Sequence, residues 1–421
     1  MLDVLALQQQ IQRMVQEQSA TQAERQEQLD RAVTELQRQG TVWPEFAKRV
    51  AESRTSWLVA GVCQQVNARI PPPPCPHPHT VLATDGSQIF PDRHEGTACY
   101  LINIGRVVLP YGQPLRPLLD SQPTLFYRER DLYHVWNGRR TPVTEEVISL
   151  RRQWMEFEAL AQLASELSRS SLPGVALSDG TLILWTLEGV PPDFRQEMLE
   201  RFLISWERLR QCGWPLAGYI SQPASADVIN ALRVGICPEV RVDCDKCPWK
   251  GGPGAREPGN RPNARGGRSV PPQQLDFYRY DAQMLPCAVI EGVTDAQLFA
   301  QVLAPGERSA LFASVSQVLG HYGPHGVYFF YVHVGSEIGR VEVPAWVATC
   351  PESLERVHAV VVDQAEKGGG YPLALIEAHE KAVVRSPERE AFYRLVQDML
   401  VQQGLPVSLS SKSWSKRIPR I

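Results

Sequence analysis

The chain has 421 residues, with 43 Lys+Arg against 46 Asp+Glu, 43% hydrophobic and 21% charged residues. This is a globular composition, long enough for one large or two medium domains, and it excludes disorder or fibre for the bulk of the chain. A formal net charge of -3 gives no global pull toward polyanions, so any nucleic-acid contact must come from local basic patches.

Residues 1–40 are rich in Gln, Glu and Arg, with Val4, Leu7, Ile11 and Met14, then Leu29, Val33 and Leu36, at helical spacing. The reading is a helix with a narrow apolar stripe, interrupted around Gln18–Gln26. It either packs on its own domain or forms a coiled-coil arm for a partner or second subunit. The start Met1-Leu2-Asp3-Val4, with an early acid and then glutamines, does not read as a secretory signal, and no apolar run is long enough to cross a membrane, so a soluble cytoplasmic protein is expected. The stiff run Pro71–Pro76 ends this arm and linker (1–70), and the main domain starts at about 80. There, Val81–Asp85, Cys99–Ile104 and Val107–Leu109 read as consecutive strands, with a hairpin turn at Gly105-Arg106. A long helix at about 144–170 precedes a short strand, Val175–Ser178. A helix at about 191–211, a strand over Pro215–Ile220 and a helix over Ala226–Arg233 follow. Residues 249–272 are crowded with Gly, Pro and Arg and read as a mobile basic loop. Beyond it lie a hairpin, Gly326–Val332 with Val341–Val343, the apolar run Ala359–Val362, a Gly368–Gly370 turn and a helix from Pro372. Strands first and helices interleaved later indicate a mixed α/β sheet flanked by helices.

Two tripeptides, Asp85-Gly86-Ser87 and Asp179-Gly180-Thr181, each follow an apolar strand, where glycine lets the backbone turn and leaves the acid at the strand's edge. One alone is an ordinary turn; two together are what a sheet-based divalent-cation site requires. On the upstream helix, Glu156 falls inside the apolar arc of Leu150, Trp154, Phe157, Leu160 and Leu163, whereas Glu158 falls on the polar side with Arg151, Gln162 and Glu166. A carboxylate in that arc needs an arginine or a shared metal. His379 lies among Leu375, Ile376, Ala382 and Val383, as a desolvated histidine that is either hydrogen-bonded or a fourth ligand. Cys237, Cys244 and Cys247, with one C-x-x-C among the 9 cysteines, would need Cys212 or Cys287 to make a structural Zn2+ site, and reduced, unlinked thiols are the simpler expectation. Glu337, Arg340 and Glu342 either face DNA or form surface pairs on one hairpin face. Arg256, Arg261, Arg265, Arg268 and Arg420 are basic residues on segments able to track a phosphate backbone.

These ordered motifs carry a family resemblance. Thr84–Ile89 with Pro91-Asp92-Arg93-His94, Glu156 upstream of Leu177–Leu182, Gly370-Tyr371-Pro372 followed by Ala378-His379, and Ser411-Lys412 with Lys416-Arg417 make the chain resemble NurA-type nucleases over about residues 80–415. That group acts with the hexameric HerA translocase in DNA-end processing. The resemblance implies an RNase H-like fold and a Mn2+-dependent nuclease, with Mg2+ as a substitute. It further implies single-strand endonuclease and 5′-3′ exonuclease activity in end resection and double-strand break repair, and a ring-like homodimer threaded by DNA. By position, Asp85, Glu156, Asp179 and His379 become metal ligands and Tyr371 completes the site; Arg93, Lys412, Lys416 and Arg417 become DNA contacts. Glu158 stays as the alternative to Glu156. The competing function is a non-catalytic adaptor that docks a translocase through its N-terminal arm, and such an adaptor would have no reason to keep Asp85, Glu156, Asp179 and His379 together.

Overall fold

The computed structural model describes residues 3–91, 99–136, 139–167, 173–250 and 285–406. The chain divides into two compact units. The larger comprises Pro71–Ser221, Pro305–Arg308 and Ser316–Ile421; the smaller comprises Met1–Ile70, Gln222–Ala304 and Ser309–Val315.

The larger unit is built on a mixed sheet. Its strands are β1 (His79–Ile89), β2 (Tyr100–Tyr111), β3 (Leu118–Phe126), β4 (Gly174–Asp179), β5 (Leu216–Ile220), β6 (Val327–His333) and β7 (Ile338–Pro344), in the order β6-β7-β5-β4-β1-β2-β3. The pairs β1–β4 and β4–β5 are parallel, while β1–β2, β2–β3, β5–β7 and β6–β7 are antiparallel. Central strands covered on both faces must be apolar throughout. Val81–Ala83 of β1 and Val175–Leu177 of β4 are accordingly fully buried. Helix α1 (Glu145–Leu167) lies on the face that carries Leu82 and Ala176, burying Phe157, Leu160 and Leu163 there together with Phe202 and Trp206 of helix α2 (Pro192–Gln211). Truncating any one of these to alanine would cost about 2–5 kcal/mol.

One local expectation is corrected, and one apolar run is placed. Gly105-Arg106 is not a turn: β2 runs unbroken through it, with Gly105 opposite Asp85 of β1 and Ser121 of β3. Arg106 stays in the ladder and donates to Asp120 across it at 2.9 and 2.6 Å. The apolar run Ala359–Val362 lies inside helix α3 (Pro351–Lys367), because Leu354, Val357, Val361 and Ala365 extend it into a buried stripe at helical spacing.

In the smaller unit the N-terminal helical segment is divided at Thr21. Val4–Ala20 buries no residue, whereas Gln22–Thr41 buries Ala32 and Leu36. Helix Trp43–Glu52 buries Phe46 and Val50, and helix Asp227–Ile236 is fixed at its start by Asp295, which accepts from the backbone N–H groups of Val228 and Ile229 at 3.1 and 2.8 Å. Ala60–Val62 and Phe312–Ser314 form a short antiparallel pair. Trp249 and Lys250 close a short 3-10 turn, and the rest of the basic segment expected at 249–272 lies outside the described residues. Among the described residues no helix is long and apolar enough to cross a membrane.

Candidate active site

Asp85 and Asp179 come from neighbouring parallel strands whose last paired residues are Thr84 and Ser178. Each acid is therefore the next residue beyond the shared ladder, and alternation along a strand sends both side chains to one face of the sheet. β4 ends at Asp179, while β1 continues to Ile89. The two Asp-Gly steps do different work. Gly180 makes the expected turn, with a φ of 85° that favours glycine. Gly86 makes no turn, because it sits within β1; a Cβ there would lie 2.5 Å from Glu156 Oε1 and 2.8 Å from Arg152 Cγ. The second residue of this motif is a window through which a carboxylate from the helix layer approaches the acids.

Glu156 is that carboxylate. It is 5% exposed on α1, and its own backbone carbonyl accepts from Thr84 Oγ1 at 3.0 Å, which fixes the helix turn against β1. Arg152, one turn earlier, ion-pairs with Glu156 and donates to the Gly86 carbonyl at 3.0 Å. Burial pushes the Glu156 carboxyl up to about 8; Arg152 pulls it down, and the like charges of Asp85 and Asp179 push it up further. Glu158 points elsewhere, accepting from Arg208 at 2.7 Å and Ser205 at 3.0 Å on α2. The helical-wheel distinction between the two glutamates holds in the structure.

Helix α4 (Leu373–Ala382) brings the histidine. Its Nδ1 lies 2.9 Å from Asp85 Oδ2. The expectation of a desolvated histidine is overturned, since the His379 side chain is 61% exposed; Ala374, Leu375, Ala378 and Ala382 are what the helix buries. The helix can lie this close because of Gly105: a Cβ there would stand 2.2 Å from the Ala378 carbonyl oxygen and 2.6 Å from the Ala382 nitrogen. Ser87 and Asn103 then tie the helix end down, donating to the Ala382 carbonyl at 2.5 and 2.8 Å. Sequence reading missed Gly105, whose flanking apolar residues look like two strands around a turn.

Tyr371, just ahead of α4, donates to Asp179 Oδ1 at 2.6 Å and stands edge-on to Tyr219 at 5.2 Å between ring centres. Asp179 is exposed to solvent yet crowded by surrounding atoms, and desolvation is the first cause raising its carboxyl, opposed by the Tyr371 hydroxyl. Desolvation, then the Asp179 charge, raises the Tyr371 phenol well above its ordinary value, so it keeps its proton. Behind Asp179 the turn is held by Glu342, which accepts from Thr181 Oγ1 at 2.7 Å, from the Leu182 N–H at 2.8 Å and from Arg340 Nε at 2.9 Å. Glu342 and Arg340 are almost fully buried, so neither faces DNA nor forms a surface pair. Glu337 accepts from Tyr219 at 3.0 Å and Ser221 at 2.8 Å. This arrangement makes Arg340 and Glu342 supports of the acidic turn.

Three carboxylates are hard oxygen donors of the kind Mn2+ or Mg2+ takes, with an imidazole beside them; burial first, and then the charge of neighbouring acids, raises Glu156 and Asp179, and a bound cation would offset both. No three of Asp85, Glu156, Asp179 and His379 bring ligand atoms within 4.8 Å of one another. The donors suit an open site whose shell is completed by water, rather than a closed cage. Among the described residues, the group that does close to that distance is Cys75, His79 and Asp363. There Lys367 already pairs with Asp363, and burial pushes the Cys75 thiol up to about 11, so it holds its proton. Of the expected DNA contacts, Arg93, Lys412, Lys416 and Arg417 lie outside the described residues. Cys212 belongs to the larger unit, with its sulfur 3.7 Å from Ser165 Oγ, whereas Cys237, Cys244, Cys247 and Cys287 all belong to the smaller one.

The model of the NurA domain family matches residues 79–384. Comparison with curated proteins finds no match. Among solved structures, a crystal structure of NurA bound to dAMP and manganese is similar at 13% identity and a TM-score of 0.34, over 76% of this chain and 88% of that chain. Another crystal structure of NurA is similar at 14% identity and a TM-score of 0.35, over 78% of this chain and 90% of that chain.

Proposed function

This chain belongs to the NurA domain family, and on that premise we propose that it is a metal-dependent deoxyribonuclease that cuts single strands internally and degrades DNA from 5′ ends. The observation that carries the proposal is the pair of aspartates on adjacent parallel strands. Each is hydrogen-bonded by a residue of the α4 region, Asp85 with His379 and Asp179 with Tyr371, and a buried glutamate stands behind them. Asp85, Asp179 and Glu156 would hold Mn2+ or Mg2+. Such a cation, when bound, activates water and neutralises charge on the leaving oxygen of a phosphodiester.

The protein's own groups supply the rest. Asp85 engages Nδ1 of His379 and so orients the exposed ring, which can hand a proton to the departing oxygen or join the ligand set. Tyr371 keeps its proton and can donate a hydrogen bond to the scissile phosphate. Arg152 keeps Glu156 aimed through the Gly86 window. Arg93, Lys412, Lys416 and Arg417 would track the backbone with salt-sensitive affinity. The RNase H-like description of the fold, a homodimeric ring and action with a HerA-like hexameric ATPase in end resection and break repair complete the reading. Support for an assembly role of the N-terminal arm comes from its first helix, which leaves Val4, Leu5, Ile11, Met14 and Val15 exposed.

The test is incubation of purified protein with labelled single-stranded DNA, with and without Mn2+ or Mg2+, beside Asp85→Ala and Asp179→Ala. Cleavage that needs the cation and is lost in both folded variants is expected. Absence of cleavage by the wild type with either cation would favour the adaptor function, and wild-type rates in either variant would reject the site.

A further inference from the structure

We propose that Cys237, Cys244, Cys247 and Cys287 ligate one cubane iron–sulfur cluster, which staples the smaller unit. The four thiols line a single cavity of about 110 Å³, with Trp57 and Arg233 among its other walls. No disulfide occupies them. Their spacing in the chain, C-x6-C-x2-C and then Cys287 after a long interval, would scatter them unless something gathered them.

The backbone around each cysteine is pinned. Arg49 donates to the carbonyls of Val234 at 3.0 Å and Glu239 at 2.9 Å, as well as to that of Cys237, and so clamps the segment leaving helix Asp227–Ile236. Arg54 exchanges backbone hydrogen bonds with the segment leading into Cys244, its N–H to the Val242 carbonyl at 2.9 Å and its carbonyl from the Cys244 N–H at 2.8 Å. Arg233 Nε donates to the Cys287 carbonyl at 3.1 Å, with its guanidinium 4.2 Å from the Trp57 ring centre. What this region lacks is an apolar core of its own. Between Cys237 and Lys250 there are only two three-residue 3-10 turns; Val242 and Cys244 are buried, and Val240 is 95% exposed. Short segments of this kind are ordered by a covalent or metal cross-link, because burial alone cannot offset their entropy.

Spacing selects the kind of centre. A tetrahedral zinc with Zn–S bonds of about 2.3 Å holds its thiolates about 3.8 Å apart. No three of these four sulfurs approach within 4.8 Å of one another. A cubane binds each thiolate to a different iron, so its sulfurs stand further apart than around one ion, and it matches four thiols set wider than that distance around one cavity. Each thiol releases its proton to solvent as its sulfur bonds iron, and Arg233 faces the resulting negative charge. Because the centre lies in the smaller unit and the acids in the larger, the inference does not rest on the nuclease reading.

The test is the metal content of the full chain, expressed and purified without oxygen. Iron, acid-labile sulfide and zinc are measured beside the visible sulfur-to-iron absorption. About four iron and four sulfide per chain are expected, with at least a tenfold loss of iron in Cys244→Ser and in Cys287→Ser and no loss in Cys212→Ser. Stoichiometric zinc without sulfide, absence of both metals, or iron retained by both variants would overturn the proposal. If the two variants prove insoluble, the sulfide content of the wild type decides: less than one per chain rejects the cluster.

Discussion

Replacing Gly105 by alanine tests the central geometric idea, that a missing side chain on β2 sets the distance between His379 and Asp85. The added Cβ would meet the Ala378 carbonyl oxygen at 2.2 Å and the Ala382 nitrogen at 2.6 Å. Both are backbone atoms, so no rotamer change relieves the clash. An ordinary carbon–oxygen contact needs about 1 Å more, and close packing passes that displacement to the whole of α4. A shift of that size takes the 2.9 Å His379–Asp85 contact out of hydrogen-bonding range. Overpacking should cost about 1–3 kcal/mol of stability, and misplacing a reacting group by about 1 Å should lower cleavage about 100-fold. The assay is single-turnover cleavage of a labelled oligonucleotide in Mn2+, beside a thermal melt. Cleavage within twofold of wild type, from a protein that melts at the wild-type temperature, would refute the reasoning.

Further substitutions separate support from chemistry. Glu158→Ala should change cleavage less than twofold and stability by about 0–1 kcal/mol, because its pair with Arg208 is partly exposed; lost cleavage or a raised Mn2+ requirement would instead make it the ligand. Glu342→Ala strips a buried guanidinium and the Thr181 turn of their carboxylate, so an unfolding titration should show a loss of about 3–5 kcal/mol, and an unchanged midpoint would contradict the burial argument. The pH dependence follows from Glu156. Its folded carboxyl titrates near 8 against an ordinary value of 4.5, so the native state holds a proton that the unfolded chain has lost between those values. That contribution to stability is complete below about pH 4.5 and disappears as the pH rises to about 8. In chelator, wild-type melting temperature should therefore fall more steeply than that of Glu156→Gln from about pH 5 to about pH 8; parallel curves would remove the assignment. Deleting residues 3–20 should leave the melting temperature nearly unchanged, since that helix buries nothing, whereas deletion through Thr41 should lower solubility by uncovering the apolar surface on which Ala32 and Leu36 pack.

Much of the larger unit is legible in the sequence because its central strands are buried on both faces and so are written as uninterrupted apolar runs ending in an acid. That Glu156 and not Glu158 points toward the sheet is equally legible: two residues apart on a helix means opposite sides, and only one side faces the sheet. His379 shows where that reasoning stops. A wheel gives the angle at which a side chain leaves the helix, not how far the neighbouring layer extends. Here the helix seats Ala374, Leu375, Ala378 and Ala382 and leaves the ring at the edge of that contact, beside Asp85. Gly105 was opaque for a different reason, since its role is defined by the backbone of a helix some 270 residues further along the chain. Arg340 and Glu342 read as a surface pair because alternation reports which face they share and not whether that face is covered.

The order in which the site's parts occur along the chain bears on when it can act. Asp85, Glu156 and Asp179 are all made in the first half of synthesis, but Tyr371 and His379 come from the segment 371–379. A nascent chain halted before that point could form β1, β4 and α1 with the acids together, yet without the imidazole that Asp85 orients or the phenol on Asp179. Gly105, moreover, would present an unfilled groove. On the proposed nuclease reading, the addition of Tyr371 and helix Leu373–Ala382 is thus the step that completes the site, and chains ending before them would lack both the imidazole and the phenol.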